Sequence, residues 1–141
     1  MKIYKVEETI NASPIVIWTI LTDAQKYPEW NPTVERVEGN IDLGEQIKVI
    51  TKANPNQAFP VKVSEFVPDQ RMKWVGGMPL GLFKGERTFT LKSTANDSTQ
   101  FTMEEIFSGL LFPLIGKSIP DLSDSFKQFA AGLKTYAESQ R

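Results

Sequence analysis

From Thr99 to Tyr136 the chain reads TQFTMEEIFSGLLFPLIGKSIPDLSDSFKQFAAGLKTY. Its first third alternates, so that Phe101, Met103, Glu105 and Phe107 fall on one face of an extended segment. Past Pro113 the period changes. Leu114, Ile115, Ile119, Leu122, Phe126, Phe129, Ala130, Leu133 and Tyr136 recur mostly at three- and four-residue spacing, which marks an amphipathic helix. The stretch therefore predicts a last strand over 99–108 and a long helix over about 113–139. Pro120 is expected to kink or restart that helix, because proline removes a backbone donor and crowds the preceding turn.

Upstream of this stretch the signals are mostly those of strands. A strand is expected at 3–11, then a short helix at 14–22 with Ser13 as N-cap and Pro14 in the first turn, where a missing N–H has no partner to lose. Asp23 is expected to cap a second short helix at about 23–28. Strands follow at Val34–Gly39, Gln46–Lys52, Ala58–Val67, Arg71–Val75 and Phe83–Ser93, with turns at Asp42-Leu43-Gly44, Pro68-Asp69 and Asn96-Asp97. On 58–67, Phe59, Val61, Val63 and Val67 share a parity. Gly76 to Leu82 is expected to be a flexible loop. The order is β-α-α-β6-α. It fits an α+β molecule in which a curved antiparallel sheet of about seven strands wraps a long C-terminal helix, so that each hides the other's apolar face.

Composition narrows the chemistry. The 141 residues carry 16 Lys+Arg and 17 Asp+Glu, a net charge of -1, and the lysines alternate with apolar neighbours instead of clustering. No nucleic-acid footprint follows from that. The length suits one domain, residues 1–141, able to carry a full core. Cys and His are both absent. This excludes, within the chain, a disulfide framework, a thiolate nucleophile, an imidazole-bound metal and any triad built on His. No cofactor or metal is expected. Met1 to Glu8 has charges where a signal peptide needs an apolar stretch, and the longest apolar run, Leu110–Ile115, is far short of a membrane span. A cytoplasmic protein without integral membrane association, monomer or homodimer, is the expectation.

Several local motifs join this order: Ala12-Ser13-Pro14 with Val16 and Trp18, Leu21-Thr22-Asp23, Tyr27-Pro28-Glu29-Trp30-Asn31-Pro32, the strand Phe83–Leu91, Glu105-Ile106-Phe107-Ser108-Gly109, and Leu133-Lys134. Together they resemble the START/birch-pollen-allergen-like (SRPBCC) superfamily, the helix-grip fold, in its bacterial polyketide cyclase/dehydrase and lipid-transport branch. The resemblance covers essentially the whole chain. It implies an internal cavity between sheet and helix that holds a hydrophobic or amphipathic small molecule. Members include carriers and aromatase/cyclases, so the fold leaves function to the site.

Parity supplies candidates for the cavity wall: Trp30, Phe59, Val61, Val63, Met72, Trp74, Met78, Phe83, Phe89, Met103, Phe107, Leu111, Phe126, Phe129 and Leu133. Among them sit two charges. Arg87 shares a face with Phe83, Gly85, Phe89 and Leu91. Glu105 shares one with Met103 and Phe107. Counted from the Asn96-Asp97 turn, the two fall near each other across a hairpin. A charge on an apolar face needs a partner. The pair is either a structural salt bridge or an anchor for a ligand's polar group. A third reading makes Arg87, Glu105 and Tyr27 proton shuttles of a cyclase or dehydratase, and a fourth makes the protein an interaction module with a filled core. Glu65 shares parity with Val63 and could add an inward carboxylate, although its place at the strand end favours exposure to water. Tyr27, Trp30 and Trp74 are either core aromatics whose polar tips reach the surface or parts of the cavity wall. The apolar connections 76–82 and 110–114 either cap the core, form a gate, or make a dimer contact.

Overall fold

A computed structural model describes residues 1–140. β1 (Lys2–Ile10) leads through Ser13, whose Oγ accepts from the Val16 N–H at 3.4 Å, into α1 (Pro14–Leu21). A 3-10 turn at Ala24–Lys26 and α2 (Tyr27–Trp30) follow. Asp23 stands at the N-cap position but makes no side-chain cap bond, and the helical stretch runs past Pro28, which sits harmlessly in the first turn of α2. Then come β2 (Val34–Glu38), β3 (Gln46–Thr51), β4 (Ala58–Val67), β5 (Arg71–Met78), β6 (Phe83–Ala95) and β7 (Ser98–Ser108). The seven strands form one antiparallel sheet in the order β1-β7-β6-β5-β4-β3-β2. Beyond it lie α3 (Phe112–Ile115), a 3-10 turn at Gly116–Ser118, and α4 (Ser123–Gln140). The curled sheet and α4 together make the expected helix-grip fold.

α4 buries Phe126, Phe129, Ala130, Leu133 and Ala137 along one stripe. Its second half is fastened. Gly132 lies against the Trp30 carbonyl so closely that a Cβ there would overlap the oxygen. Lys134 Nζ donates to Thr9 O at 2.7 Å, and Glu138 accepts from the Asn11 N–H at 2.9 Å.

Two expectations need correction and one is sharpened. The helical stretch over 113–139 restarts at Pro120, one of the two outcomes expected there: Pro120 forces Ile119 into an extended conformation, and a new helix starts where the Asp121 carboxylate accepts from the Ser123 N–H at 2.9 Å. That bond holds the Asp121 carboxyl below its usual range. Gly76, Gly77 and Met78 are strand, not loop, because ladder bonding needs backbone alone: Gly76 faces Gly85, Gly77 faces Lys84, and Met78 faces Phe83. Finally, the register of β4 slips between Val63 and Glu65. The bulge exchanges the faces beyond it. Phe66 turns inward, opposite Met72 and 5.1 Å from the Trp18 ring, while Val67 is 44% exposed. Glu65 points away from the interior and pairs with Arg71 at 2.7 Å and Lys73 at 3.3 Å, which lowers its pKa.

Candidate functional site

The sheet register lays the concave face out in rows. The innermost rows are apolar: Phe101 opposite Leu91, then Val6, Met103, Phe89, Met72 and Phe66. The next runs Tyr4–Glu105–Arg87–Trp74–Val63 across five strands. The row after it is Lys2–Phe107–Gly85–Gly76–Val61, and Phe83 with Met78 forms the rim. The polar row thus divides a sealed inner end from an open mouth.

The inner end is filled. Trp30, Val63, Met72, Trp74, Phe89, Met103, Phe126, Phe129 and Leu133 are all buried. Their rings interlock: Trp30 with Phe129 at 5.0 Å, Trp74 with Phe89 at 4.8 Å, and Tyr27 with Trp30 at 4.7 Å between centroids. These aromatic side chains pack against one another where the sheet faces α4. The polar tips do not reach the surface as expected. The Tyr27 hydroxyl donates to Leu21 O at 2.6 Å, and burial pushes its pKa far above the usual tyrosine range, against the opposing pull of the Arg87 charge. The indole N–H groups of Trp30 and Trp74 are buried and have no hydrogen-bond partner among the described residues.

In the polar row, Arg87 Nε donates to Glu105 Oε1 at 2.5 Å. The side chains are 25% and 13% exposed respectively, and the guanidinium lies over the Phe126 ring, 5.0 Å from its centroid. Only one of the five guanidinium N–H donors is used. The two terminal nitrogens of Arg87 and the second oxygen of Glu105 have no hydrogen-bond partner among the described residues. A fork-to-fork arrangement would have spent both carboxylate oxygens. What remains is an ion pair with unspent donors in a row of the concave face that also carries Tyr4, Trp74 and Val63.

Towards the mouth the burial loosens. Val61, Phe83 and Leu111 are half-buried, while Phe59 and Met78 are exposed. Gly85 is closely covered: a Cβ there would stand 3.2 Å from the Phe107 ring and 3.6 Å from Glu105 Oε2. A recess of about 250 Å³ is lined by Lys2, Tyr4, Phe112, Gly116, Ile119 and Asp121. Of these six, Phe112 lies in the apolar connection 110–114 and Ile119 on the apolar stripe read after Pro113, whereas Lys2, Tyr4, Gly116 and Asp121 were not singled out from sequence. Tyr4 shares its parity with Val6 and so could have been found on β1. Its position opposite Glu105 depends on the pairing of β1 with β7, which spans nearly the whole chain. A shallower polar recess of about 150 Å³ on the opposite face of the sheet involves Lys5, Arg71, Thr88, Thr90, Thr102 and Glu104.

The strap from Gly109 to Leu122, which contains α3, roofs the recess. It is tied to the turn after β5 by Leu110 N–H to Gly81 O at 3.0 Å and Leu111 N–H to Leu82 O at 2.7 Å. No residue of α3 is fully buried.

The sequence model of a family described as polyketide cyclase / dehydrase and lipid transport matches residues 1–138. No curated protein matches the chain. Among solved structures, a START superfamily protein from Mycobacterium smegmatis is 16% identical, with 99% of each chain covered and a TM-score of 0.71. A Mesorhizobium loti protein is 18% identical over 99% of each chain, with a TM-score of 0.74. A truncated norcoclaurine synthase from Thalictrum flavum is 15% identical, covering 96% of this chain and 92% of its own, with a TM-score of 0.69. At these identities the likeness is one of fold.

Proposed function

This chain belongs to the polyketide cyclase/dehydrase and lipid transport family, and on that premise we propose that it binds and carries a hydrophobic or amphipathic small molecule, lipid-like or polyketide-like, at the mouth between sheet and α4. The observation that carries the proposal is the Arg87–Glu105 pair, held by one hydrogen bond and otherwise unspent on an apolar face. The apolar part of the ligand would be driven in by surface removed from water, at about 25 cal/mol per Å² before ordering costs. The polar part would be oriented by the free guanidinium N–H groups. A recess of about 250 Å³ is below the roughly 300–1,000 Å³ of drug-sized sites, so a larger ligand requires the strap to lift.

Binding without turnover fits these residues better than cyclisation. Tyr27, a candidate proton shuttle, has its hydroxyl proton committed to Leu21 O and its acidity suppressed by burial. No imidazole exists to take its place.

Titration with the fluorescent fatty acid cis-parinaric acid, beside its methyl ester, tests the proposal. Saturable binding of both is expected. Arg87→Met should weaken the acid roughly tenfold or more, the scale of a hydrogen bond to a charged group, and the ester far less. Absence of saturable binding by either probe, with the fold intact by circular dichroism, would overturn it.

A further inference from the structure

Ten large apolar side chains are exposed on this molecule, and they are not spread evenly. Leu80 is 90% exposed, Leu110 78%, Leu114 74%, Met78 48% and Phe59 36%. All five lie at the mouth. Leu80 and Leu110 sit on segments hydrogen-bonded to each other, Leu114 belongs to the strap, and Met78 forms the rim with Phe83. Val61 is opposite Gly76, which puts Phe59 alongside Met78 two residues further on.

Leu80 carries a second anomaly. The turn Pro79-Leu80-Gly81-Leu82 closes with Leu82 N–H to Pro79 O at 3.3 Å, and its two central residues have φ of 62° and 71°. That combination belongs to the two-residue hairpin turn that favours Asn-Gly. A leucine there sits in a backbone region unfavourable to it, and faces water as well. Neither folding nor solubility explains its presence.

The charges at this end point one way. From Gly76 to Phe83 and from Ser108 to Pro120 the single charged side chain is Lys117, which is exposed. Lys2 and Lys84 flank the rim, the latter 3.4 Å from Glu86. The one carboxylate of the strap, Asp121, lies near its end, shares the recess with Lys2, and is held by the Ser123 N–H and by the charges of Lys2 and Lys127. The mouth is an apolar lip whose edge carries Lys2 and Lys117 against that single carboxylate.

We propose that this lip docks reversibly on an anionic lipid bilayer, with Leu80, Leu110 and Leu114 inserted among the acyl chains and Lys117 and Lys2 at the headgroups. Three leucines projecting separately, Leu80 and Leu110 from connections and Leu114 from α3, suit a fluid phase that closes around each of them. A second copy of the chain would need a matching flat or concave surface. Among the described residues no helix is long and apolar enough to cross a membrane, so the contact is peripheral. The inference goes beyond the ligand proposal and stands apart from it: docking uses the outer lip, whereas ligand orientation uses Arg87.

Co-sedimentation with vesicles of equal parts phosphatidylglycerol and phosphatidylcholine, and with pure phosphatidylcholine vesicles, tests it. The wild type should pellet with the first and much less with the second. Leu80→Asp combined with Leu114→Asp should reduce pelleting about tenfold or more, and Lys117→Glu about fivefold, while Leu43→Asp, an exposed leucine elsewhere, should change nothing. Leu80→Asn provides the sharper arm: it suits the turn, so thermal stability should hold or rise while vesicle binding falls. No pelleting by the wild type overturns the proposal. So does equal pelleting by the wild type and the Leu80 and Leu114 variants, or a dimer on gel filtration that those variants dissolve. Parinaric acid binding should survive in every lip variant, so a failure here leaves the ligand proposal standing.

Discussion

Arg87 and Glu105 face each other because two strands of fixed parity meet at a tight turn. A residue's face on a strand follows from period two and was legible before any coordinates, but the exact pairing was not: counted from Ala95 opposite Ser98 at the turn, Arg87 would face Ile106, and the irregularity between Ser93 and Ala95 sets it opposite Glu105 instead. Nor were the energetics legible. Both side chains are mostly buried, so the ion pair must offset its own desolvation with one hydrogen bond and a contact to Phe126. Removing one partner leaves the other charge stranded. Arg87→Met should therefore destabilise the fold by about 2 kcal/mol in urea unfolding, whereas Arg87→Met with Glu105→Gln should cost clearly less than the two single changes summed. Strict additivity would mean that the residues do not interact. Tyr4 was invisible as a neighbour of this pair, since no local signal ties the first strand to the last. The tips of Trp30 and Trp74 were misjudged for a related reason: an indole's body is predictable from burial, but whether its N–H finds a partner depends on residues distant in sequence.

Elements were legible where a local rule acted alone. Ser13-Pro14 began a helix, and the strand pattern from Gln46 to Ser108 was read with errors mainly at strand ends. Errors arose where a rule was interrupted. One extra residue after Val63 put Phe66 inside and Glu65 outside, and periodicity carries no mark of a bulge. Pro120 announced a break, but apolar spacing on both sides of it disguised how complete the break is. Gly132 reverses a local rule outright. Propensity favours Ala over Gly inside a helix by about 1 kcal/mol. Here a methyl group would strike the Trp30 carbonyl, a backbone atom that cannot rotate away. Gly132→Ala should therefore lower stability by about 3 kcal/mol, the upper range for overpacking, and loosen α4 from α2. A melting temperature equal to or above that of the wild type would show that the close approach is not a constraint.

At the scale of the whole molecule, the parts that hold and the parts that yield lie at opposite ends. At the inner end, the rings of Trp30, Trp74, Phe89 and Phe129 interlock, Gly132 seats α4 on α2, and Lys134 and Glu138 tie it to the end of β1 and the residue beyond it. At the mouth, α3 buries nothing fully, and two backbone bonds link the strap to a turn that contains a strained leucine. Opening the mouth therefore breaks little, while opening the inner end breaks the core. Native-state hydrogen exchange should resolve this as two free energies. The amides of Leu110, Leu111 and Leu114 should exchange on the order of a hundredfold faster than those of Phe89, Met103 and Leu133, which require global unfolding. Saturating parinaric acid should slow the strap amides and leave the inner set nearly unchanged, because a ligand stabilises whatever must stay closed around it. Exchange of the strap and β6 at one common rate would mean that the molecule opens as a single unit. A ligand would then have to enter through unfolding instead of through a gate.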